Sequence, residues 1–559
     1  LKIKIYLIVL LFLSYNSYSD ETDLMKIMQL ELDRSFNELK NQEIKPYFIS
    51  YQITENDNYQ ITSSLGNTIL STEIKKRTLD VDLRVGDYTF DNTHIIRGSA
   101  FQFGSSGGSV SLPFENNEMS IRQKIWNLTD RHYKSAIERY GKAKTNKAVK
   151  VEEEDLSDDF SKESNEIYTN DIKKIKFDKE LLENRLNNVS RYFRLHPWIL
   201  SSSINLQIDN ITKFFVNTEG TKIRQTQPYI RIMINANTKA DDGMTLPLYK
   251  SYFAYSIDSL PSEKIMQNDL LEMVNILDGL RNAPVAKTYS GPAILSGEAA
   301  GVFFHEIFGH RVEGHREKDP NSSQTFKQMI GKDILPDFIN VVFDPTKKIL
   351  RNHEISGFYN YDDEGVKSQR VVSVENGIFK GFLMSRSPIE NFPVSNGHGR
   401  KQAGFKAVTR QSNLIVEAIE TIPFSELKKE LIEICKTEGK EYGLYLTVVQ
   451  GGFTFTSRTI PNAFNVMPLV VYKIYADGRP DELVRGVDLI GTPLMTFKNI
   501  THAADDIGVF NGICGAESGG VPVSASSPSL LVSNIEVQKK KKSQAKPPIL
   551  DAPDIFKTP

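Results

Sequence analysis

Ten residues constrain this chain more than any others: Gly301-Val302-Phe303-Phe304-His305-Glu306-Ile307-Phe308-Gly309-His310. They place two imidazoles and a carboxylate in one short apolar segment. Apolar residues flank His305 and Glu306 on both sides, so the segment reads as buried. Unpartnered polar groups in a core cost free energy on the kcal/mol scale, so a buried His-Glu pair needs partners. A divalent metal would supply them. The two histidines would ligate through neutral nitrogens, and Glu306 would sit beside an activated water, which is the logic of the H-E-x-x-H helix. The plainer alternative is a buried helix whose histidines are satisfied structurally.

The spacing departs from H-E-x-x-H by one residue. His305 and His310 are five apart, so on a regular helix of about 3.6 residues per turn they splay by about 140°. Both reach one metal only if the turn widens to a π-bulge or the helix ends near His310. Gly309 makes either distortion or termination inexpensive.

The rest of the chain bounds where this segment can sit. A chain of 559 residues accommodates two or more lobes at about 100–200 residues each. A formal net charge of −2 gives no global electrostatic reason to bind nucleic acid or an anionic membrane. Two cysteines exclude a disulfide framework. At the start, Lys2 and Lys4 precede an apolar run from Ile5 to Leu13, and Ser17-Tyr18-Ser19 offers small residues at cleavage spacing. Residues 1–19 therefore read as a cleavable signal peptide, and the expected location is periplasmic or secreted. The apolar run is shorter than the roughly 20 residues a spanning helix takes, so no stable membrane span is expected.

The expected fold class is α+β. An N-terminal helix-and-antiparallel-sheet lobe, 20–284, precedes a C-terminal, mostly antiparallel, barrel-like lobe, 285–537, that carries the histidine helix. Residues 21–41 carry an amphipathic stripe, Leu24, Ile27, Met28, Leu32, Phe36 and Leu39. Tyr47 to Thr54, Asn58 to Ser64 and Thr78 to Val85 alternate as strands. Residues 101–117 read as a Gly/Ser-rich loop. A helix from about Ser120 to Tyr140 places His132 in its core stripe. A charged insertion near 141–171 contains the acidic run Glu152 to Asp155, read as a solvated loop. Further expectations are a helix over 178–194, strands across 203–256, and a helix opened by Pro261-Ser262-Glu263 with proline in its first turn. In the second half, Glu375-Asn376-Gly377 and Asp477-Gly478 signal hairpins, and a helix over 424–437 buries Cys435. Residues 538–559 form a basic, Pro-rich tail.

Several motifs occur in an order that resembles the TldD/PmbA family of metallopeptidases. His305-Glu306-Ile307-Phe308-Gly309-His310 is similar to the family's HExxxH, with Glu313-Gly314 following. Tyr361-Asp362-Asp363-Glu364-Gly365 is similar to its YDDEG element, Gly397-His398-Gly399-Arg400 to its GxGR segment, and Gly512 to Gly515 with Val521-Pro522-Val523 to its CG…VPV signature. The likeness is strong over about 287–537 and only topological over 20–280.

The resemblance implies a zinc peptidase in which Cys514 completes the site of His305 and His310 and Glu306 acts as proton acceptor and donor. A thiolate between glycines suits a zinc ligand. His315 is the rival third ligand, because histidines recur at 305, 310 and 315. A Cys435–Cys514 disulfide is the competing use of the thiol. Gly451 and Gly452, on a strand edge, are candidates to pair with an extended peptide, which favours unfolded substrates over folded ones. Asp362 and Asp363, with Glu364, are candidates for orienting ligands or holding a substrate amine, and His398 for contacting substrate. Their alternative is a polar turn. The family's habit of pairing a metal-bearing chain with a related one implies a homodimer or a heterodimer. The competing function is a non-catalytic peptide-binding or assembly subunit that uses the same cleft.

Overall fold

The computed structural model describes residues 23–96, 108–149, 155–170, 174–454, 464–491 and 493–540, with positions 546, 548–550 and 553. The signal peptide expected at 1–19, residues 101–107 of the expected Gly/Ser-rich loop, Glu152 to Glu154 and most of the tail lie outside the described residues.

The architecture is α+β. The N-terminal lobe is built on one long antiparallel sheet. Helix α1 (Leu24–Leu39) precedes the hairpin β1 (Pro46–Ser64) and β2 (Asn67–Val85). Helices α2 (Glu118–Val149) and α3 (Lys179–Ser190) follow. Then come β3 (Ser201–Asn217), which pairs with β1, β4 (Lys222–Lys239), β5 (Thr245–Ala254) and helix α4 (Glu263–Asn282). The strand period of two decides how the sheet is used. Ile49, Tyr51, Ile53, Tyr59 and Ile61 of β1 pack under the four helices in two adjoining cores. The intervening Ser50, Gln52 and Thr54 are buried but polar, because their face meets the second lobe. There Gln52 Nε2 donates to Asp363 Oδ1 (2.9 Å), and Phe215 of β3 packs with Tyr361.

Four expectations are corrected in this lobe. The segments Tyr47 to Thr54 and Asn58 to Ser64 are one strand, because the polar residues between them are paired on both sides: Asn56 opposes Lys76 and Ile211, and Asp57 opposes Lys75 and Asn210. Helix α2 runs on to Val149, so the charged insertion begins as helix rather than loop. His132 is only half-buried. Tyr133 takes the core position and donates its hydroxyl to the Ile44 carbonyl (2.8 Å). Pro261 lies one residue before the cap of α4, where Ser262 Oγ accepts from Ile265 N (3.3 Å).

The C-terminal lobe begins with β6 (Tyr289–Leu295) and helix α5 (Gly297–Ile307), followed by β7 (Ile339–Phe343), β8 (Val371–Glu375), β9 (Ile378–Phe379) and β10 (Asn413–Ala418). Helix α6 (Phe424–Thr437) leads into β11 (Tyr442–Thr454), β12 (Phe464–Tyr475), β13 (Val487–Gly491), β14 (Gly508–Ala516), β15 (Gly519–Ser527) and β16 (Leu530–Lys539). Strands β11, β6, β16, β13 and β12 close into a barrel when β12 pairs back with β11. A second sheet runs β9-β8-β7-β10-β15-β14. Most pairings are antiparallel, and the exceptions are β6 with β11 and β10 with β15. At Asn376-Gly377 both φ angles are positive, 49° and 75°, as a two-residue hairpin turn requires. Strand β12 instead meets Glu482–Val484 across a longer loop, so Asp477-Gly478 is not a two-residue hairpin. Strand β16 pairs Val487 with Lys539, so the lobe extends two residues past the expected end at 537.

Helix α5 lies between barrel and second sheet. Its Phe303, Phe304 and the following Phe308 share one core with Leu446, Val449, Leu530 and Phe343. Gly297 and Gly301 let it approach β15 closely: added Cβ atoms would stand 2.4 Å from the Ser527 carbonyl and 2.7 Å from the Ala525 carbonyl. No described helix is long and apolar enough to cross a membrane.

Candidate metal centre

The end of α5 builds the site. Ser296 caps its start by accepting from Ala299 N (3.2 Å). The helix stops at Ile307, Phe308 leaves regular geometry (φ −113°, ψ −57°), and Gly309–Arg311 form a tight 3-10 turn. Of the two routes open to the five-residue spacing, the chain takes the helix end and not the π-bulge. The turn swings His310 back until its ring centroid is 4.9 Å from that of His305. Gly309 serves this turn through its size. A Cβ there would lie 1.9 Å from Gln411 Oε1, and Gln411 Nε2 donates to the His305 carbonyl (3.2 Å).

The third vertex comes from the other end of the lobe. Cys514, on β14, brings Sγ to 3.4 Å from His310 Nε2. One ligand atom each from His305, His310 and Cys514 lie within 4.8 Å of one another, the one such His/Cys/Asp/Glu group among the described residues. All three side chains are buried. His305 Nδ1 is buried with no hydrogen-bond partner among the described residues. An orphaned imidazole nitrogen beside a second imidazole and a thiol fits a metal that prefers nitrogen and sulfur donors and takes three protein ligands in catalytic sites. Burial works against the charged forms, but His310 and His305 outweigh it and hold the Cys514 thiol well below its usual range. Against the same penalty, Cys514 and Glu313 hold His310 well above its own.

Glu306 is buried at the edge of this group, and its carboxylate makes no hydrogen bond among the described residues. Burial pushes its carboxyl up, and the two histidines only partly offset this. Behind His310 stands a set of residues to which the motif spacing assigned no role. Glu313 Oε2 lies 3.3 Å from His310 Nδ1 and accepts from Arg316 Nε (2.9 Å) and Nη2 (2.8 Å). Arg316 Nη2 also reaches Glu517 (3.2 Å). Arg410 Nη2 donates to the Cys514 carbonyl (2.7 Å). Two signals in the sequence pointed to Glu313: Glu313-Gly314 continues the motif, and its i+3 position after His310 shares a face with it on a helical turn.

The other candidates fall elsewhere. His315 stands outside the converging group, with its Nε2 2.5 Å from Glu517 Oε1. Cys435 and Cys514 are both free thiols, so the disulfide is excluded, and Cys435 is buried on α6. His398 is fully buried, with Nδ1 against Asn396 (3.0 Å) and Nε2 against Ser412 Oγ (3.1 Å). Burial, aided by Arg400, pushes its pKa down to about 3. Asp362 accepts from the backbone of Glu364, Val366 and Gly399. Asp363 accepts from Gln52, Lys213 and Lys401 N. Both carboxylates thus take three donors each in the seam between the lobes. Gly451 and Gly452 sit in an irregularity of β11, paired with β12 on one side. Beyond Leu446, no strand pairs with the other edge of β11 among the described residues.

Residues 288–539 match the family described as PmbA/TldA metallopeptidase C-terminal domain. A metalloprotease of Archaeoglobus fulgidus is 31% identical over 260 residues, which is 46% of this chain and 56% of that protein. The match thus spans little more than half of that relative's length. A zinc metalloprotease TldD homolog of Saccharolobus solfataricus is 25% identical over 375 residues, 65% of this chain and 78% of that protein. Among solved structures, TldE from Thermococcus kodakarensis superposes with a TM-score of 0.59 at 12% identity, covering 92% of this chain and all of that one. A Thermotoga maritima protein gives a TM-score of 0.60 at 16% identity over 91% of this chain and 99% of that one. At these identities the two structures establish the shared fold.

Proposed function

We propose, from the premise that this chain belongs to the TldD/PmbA family of metallopeptidases, that it is a zinc-dependent peptidase in which Glu306 carries the proton. The observation that carries the reading is a Glu306 carboxylate that makes no hydrogen bond among the described residues and lies beside His305, His310 and Cys514, whose ligand atoms converge within 4.8 Å.

Zinc bound by these three residues would supply a Lewis acid that polarises a peptide carbonyl and acidifies water. The chain's own residues do the rest. Glu306 accepts the proton of the attacking water and hands it to the leaving amine. Burial raises this carboxyl, so it binds a proton more tightly than an exposed one would, in keeping with a group that takes up the proton of the water. Glu313 and Gln411 hold the ring of His310 and the carbonyl of His305.

An unfolded peptide is the substrate class favoured by the edge of β11 at Gly451 and Gly452, where no strand pairs among the described residues and an extended chain can add as a strand. Assembly as a dimer, with itself or with a related chain, belongs to the same reading. So does export through the leader at 1–19, which cell fractionation of the tagged full chain would test.

The deciding experiment is Glu306→Gln. It should retain zinc at the level of the unaltered protein and lose cleavage of an unfolded peptide library. Full activity would overturn the role of Glu306, and peptide binding without turnover in the unaltered, zinc-loaded protein would move the chain to the binding-subunit reading.

A further inference from the structure

We propose that Glu313 is a positioning residue of the metal centre, and that the chain Glu313–Arg316–Glu517 holds His310 and Cys514 at ligating distance before any metal arrives. The inference rests on the ligand set proposed above.

The two ligands come from segments that are far apart in the sequence, and each is fastened to the same buried path. His310 Nδ1 lies 3.3 Å from Glu313 Oε2, which leaves Nε2 as the nitrogen facing Cys514 Sγ at 3.4 Å. Glu313 is fully buried. Arg316 spans from Glu313 Oε2 to Glu517 Oε2. Glu517 follows Cys514 by three residues, at the turn joining β14 to β15. From the other side, Arg410 holds the same turn: Nη1 donates to Ser518 Oγ (2.8 Å) and to the Gly519 carbonyl (2.9 Å), while Nη2 takes the Cys514 carbonyl. The path from His310 through Glu313, Arg316 and Glu517 to Cys514 therefore closes on itself without an ion.

Two physical consequences follow. A carboxylate on the far nitrogen of a ligating histidine selects the tautomer and fixes the ring plane, and loss of such a partner typically costs roughly 10- to 100-fold in metal affinity. The bridge also ties the strand bearing the sulfur to the turn bearing the imidazole, so little rearrangement is left for the metal to impose. A merely structural ion pair would stabilise the fold and leave the metal indifferent.

The test uses the full chain with Glu313→Gln, which preserves shape and removes the charge. Zinc dissociation constants are measured by chelator competition, and the visible spectrum is recorded with Co²⁺ in place of zinc. The expected result is a folded protein whose zinc affinity falls roughly 10- to 100-fold and whose Co²⁺ bands shift. Unchanged affinity and an unchanged Co²⁺ spectrum in the folded variant would overturn the proposal. If Glu313→Gln does not fold, Glu517→Gln decides. It leaves the His310–Glu313 contact in place and should weaken zinc by a smaller factor in the same direction, and equal affinity there would count against the brace. An unaltered protein that binds neither metal would remove the ligand set itself, and the positioning role with it. That outcome is distinct from one in which only the variants behave like the parent.

Discussion

Cys514 Sγ stands 3.4 Å from His310 Nε2 although 204 residues separate the two. No local rule places them together. The helix end at Ile307 turns the imidazole, the hairpin of β14 and β15 presents the thiol, and the closed lobe joins them.

This relationship makes the thiol's contribution to metal binding measurable. Cys514→Ala should leave substoichiometric zinc in the purified protein, while His315→Ala and Cys435→Ala should retain the parent level. Metal analysis of the three proteins after dialysis checks this, and zinc lost only with His315 would contradict the geometry.

Gly309 is expected to tolerate no side chain. A Cβ there meets Gln411 Oε1 at 1.9 Å, and overpacking of this kind costs about 1–3 kcal/mol. Gly309→Ala should lower stability by that amount and also weaken zinc binding, because Gln411 must leave the His305 carbonyl. Adding Gln411→Ala should recover much of the stability. Urea denaturation of the single and double variants reads the coupling.

Asp363 should behave as a clasp between the lobes. Removing one partner of a buried ion pair costs about 3–5 kcal/mol, and Asp363 here serves Gln52, Lys213 and the Lys401 amide together. Asp363→Ala is expected to lose stability on that scale, with KM for a peptide unchanged at a temperature where the protein stays folded. A raised KM with intact stability would return Asp363 to the substrate.

Stability should also fall with rising pH through one group away from the metal ligands. Burial pushes the Glu298 carboxyl from 4.5 up to about 7, with Lys250 and the Tyr249 hydroxyl opposing. A folded pKa above the unfolded one means that the native state holds the proton more tightly. The stability that Glu298 contributes is therefore complete below about pH 4.5, declines between about 4.5 and 7, and is flat above. One proton changes stability by at most about 1.4 kcal/mol for each pH step of one, so the decline across this window of about 2.5 pH units is at most about 3.5 kcal/mol. Glu298→Gln should flatten the curve over that window, measured as the denaturation midpoint against pH.

Much of the fold was legible before the structure. The stripe of Leu24, Ile27, Met28 and Leu32, the Asn376-Gly377 turn and the helix over Phe424–Thr437 all appear where periodicity and turn chemistry put them. The misreadings share a cause. Asn56 and Asp57 look like a strand break, yet Lys76, Lys75 and the backbone of β3 accommodate them in mid-strand. For Asp362, Asp363 and His398 the sequence could not name the partners, because polar residues in a turn read alike until the fold brings their neighbours in. The partners of Asp363 are Gln52 and Lys213, a lobe away in sequence.

What the sequence by itself determined is the local chemistry: a buried His-Glu segment whose spacing demanded either a bulge or a helix end, and an α+β chain in two lobes. These follow from periodicity, side-chain type and backbone preference, which act over a few residues. What only the tertiary structure decided is which helix geometry the spacing took, that Cys514 and not His315 meets the histidines, and that Glu313, Arg316 and Glu517 tie them together. Those outcomes depend on contacts between residues many positions apart. Such contacts form only when the barrel, the second sheet and α5 pack as one core, and burial then requires each enclosed polar group to find its partner there.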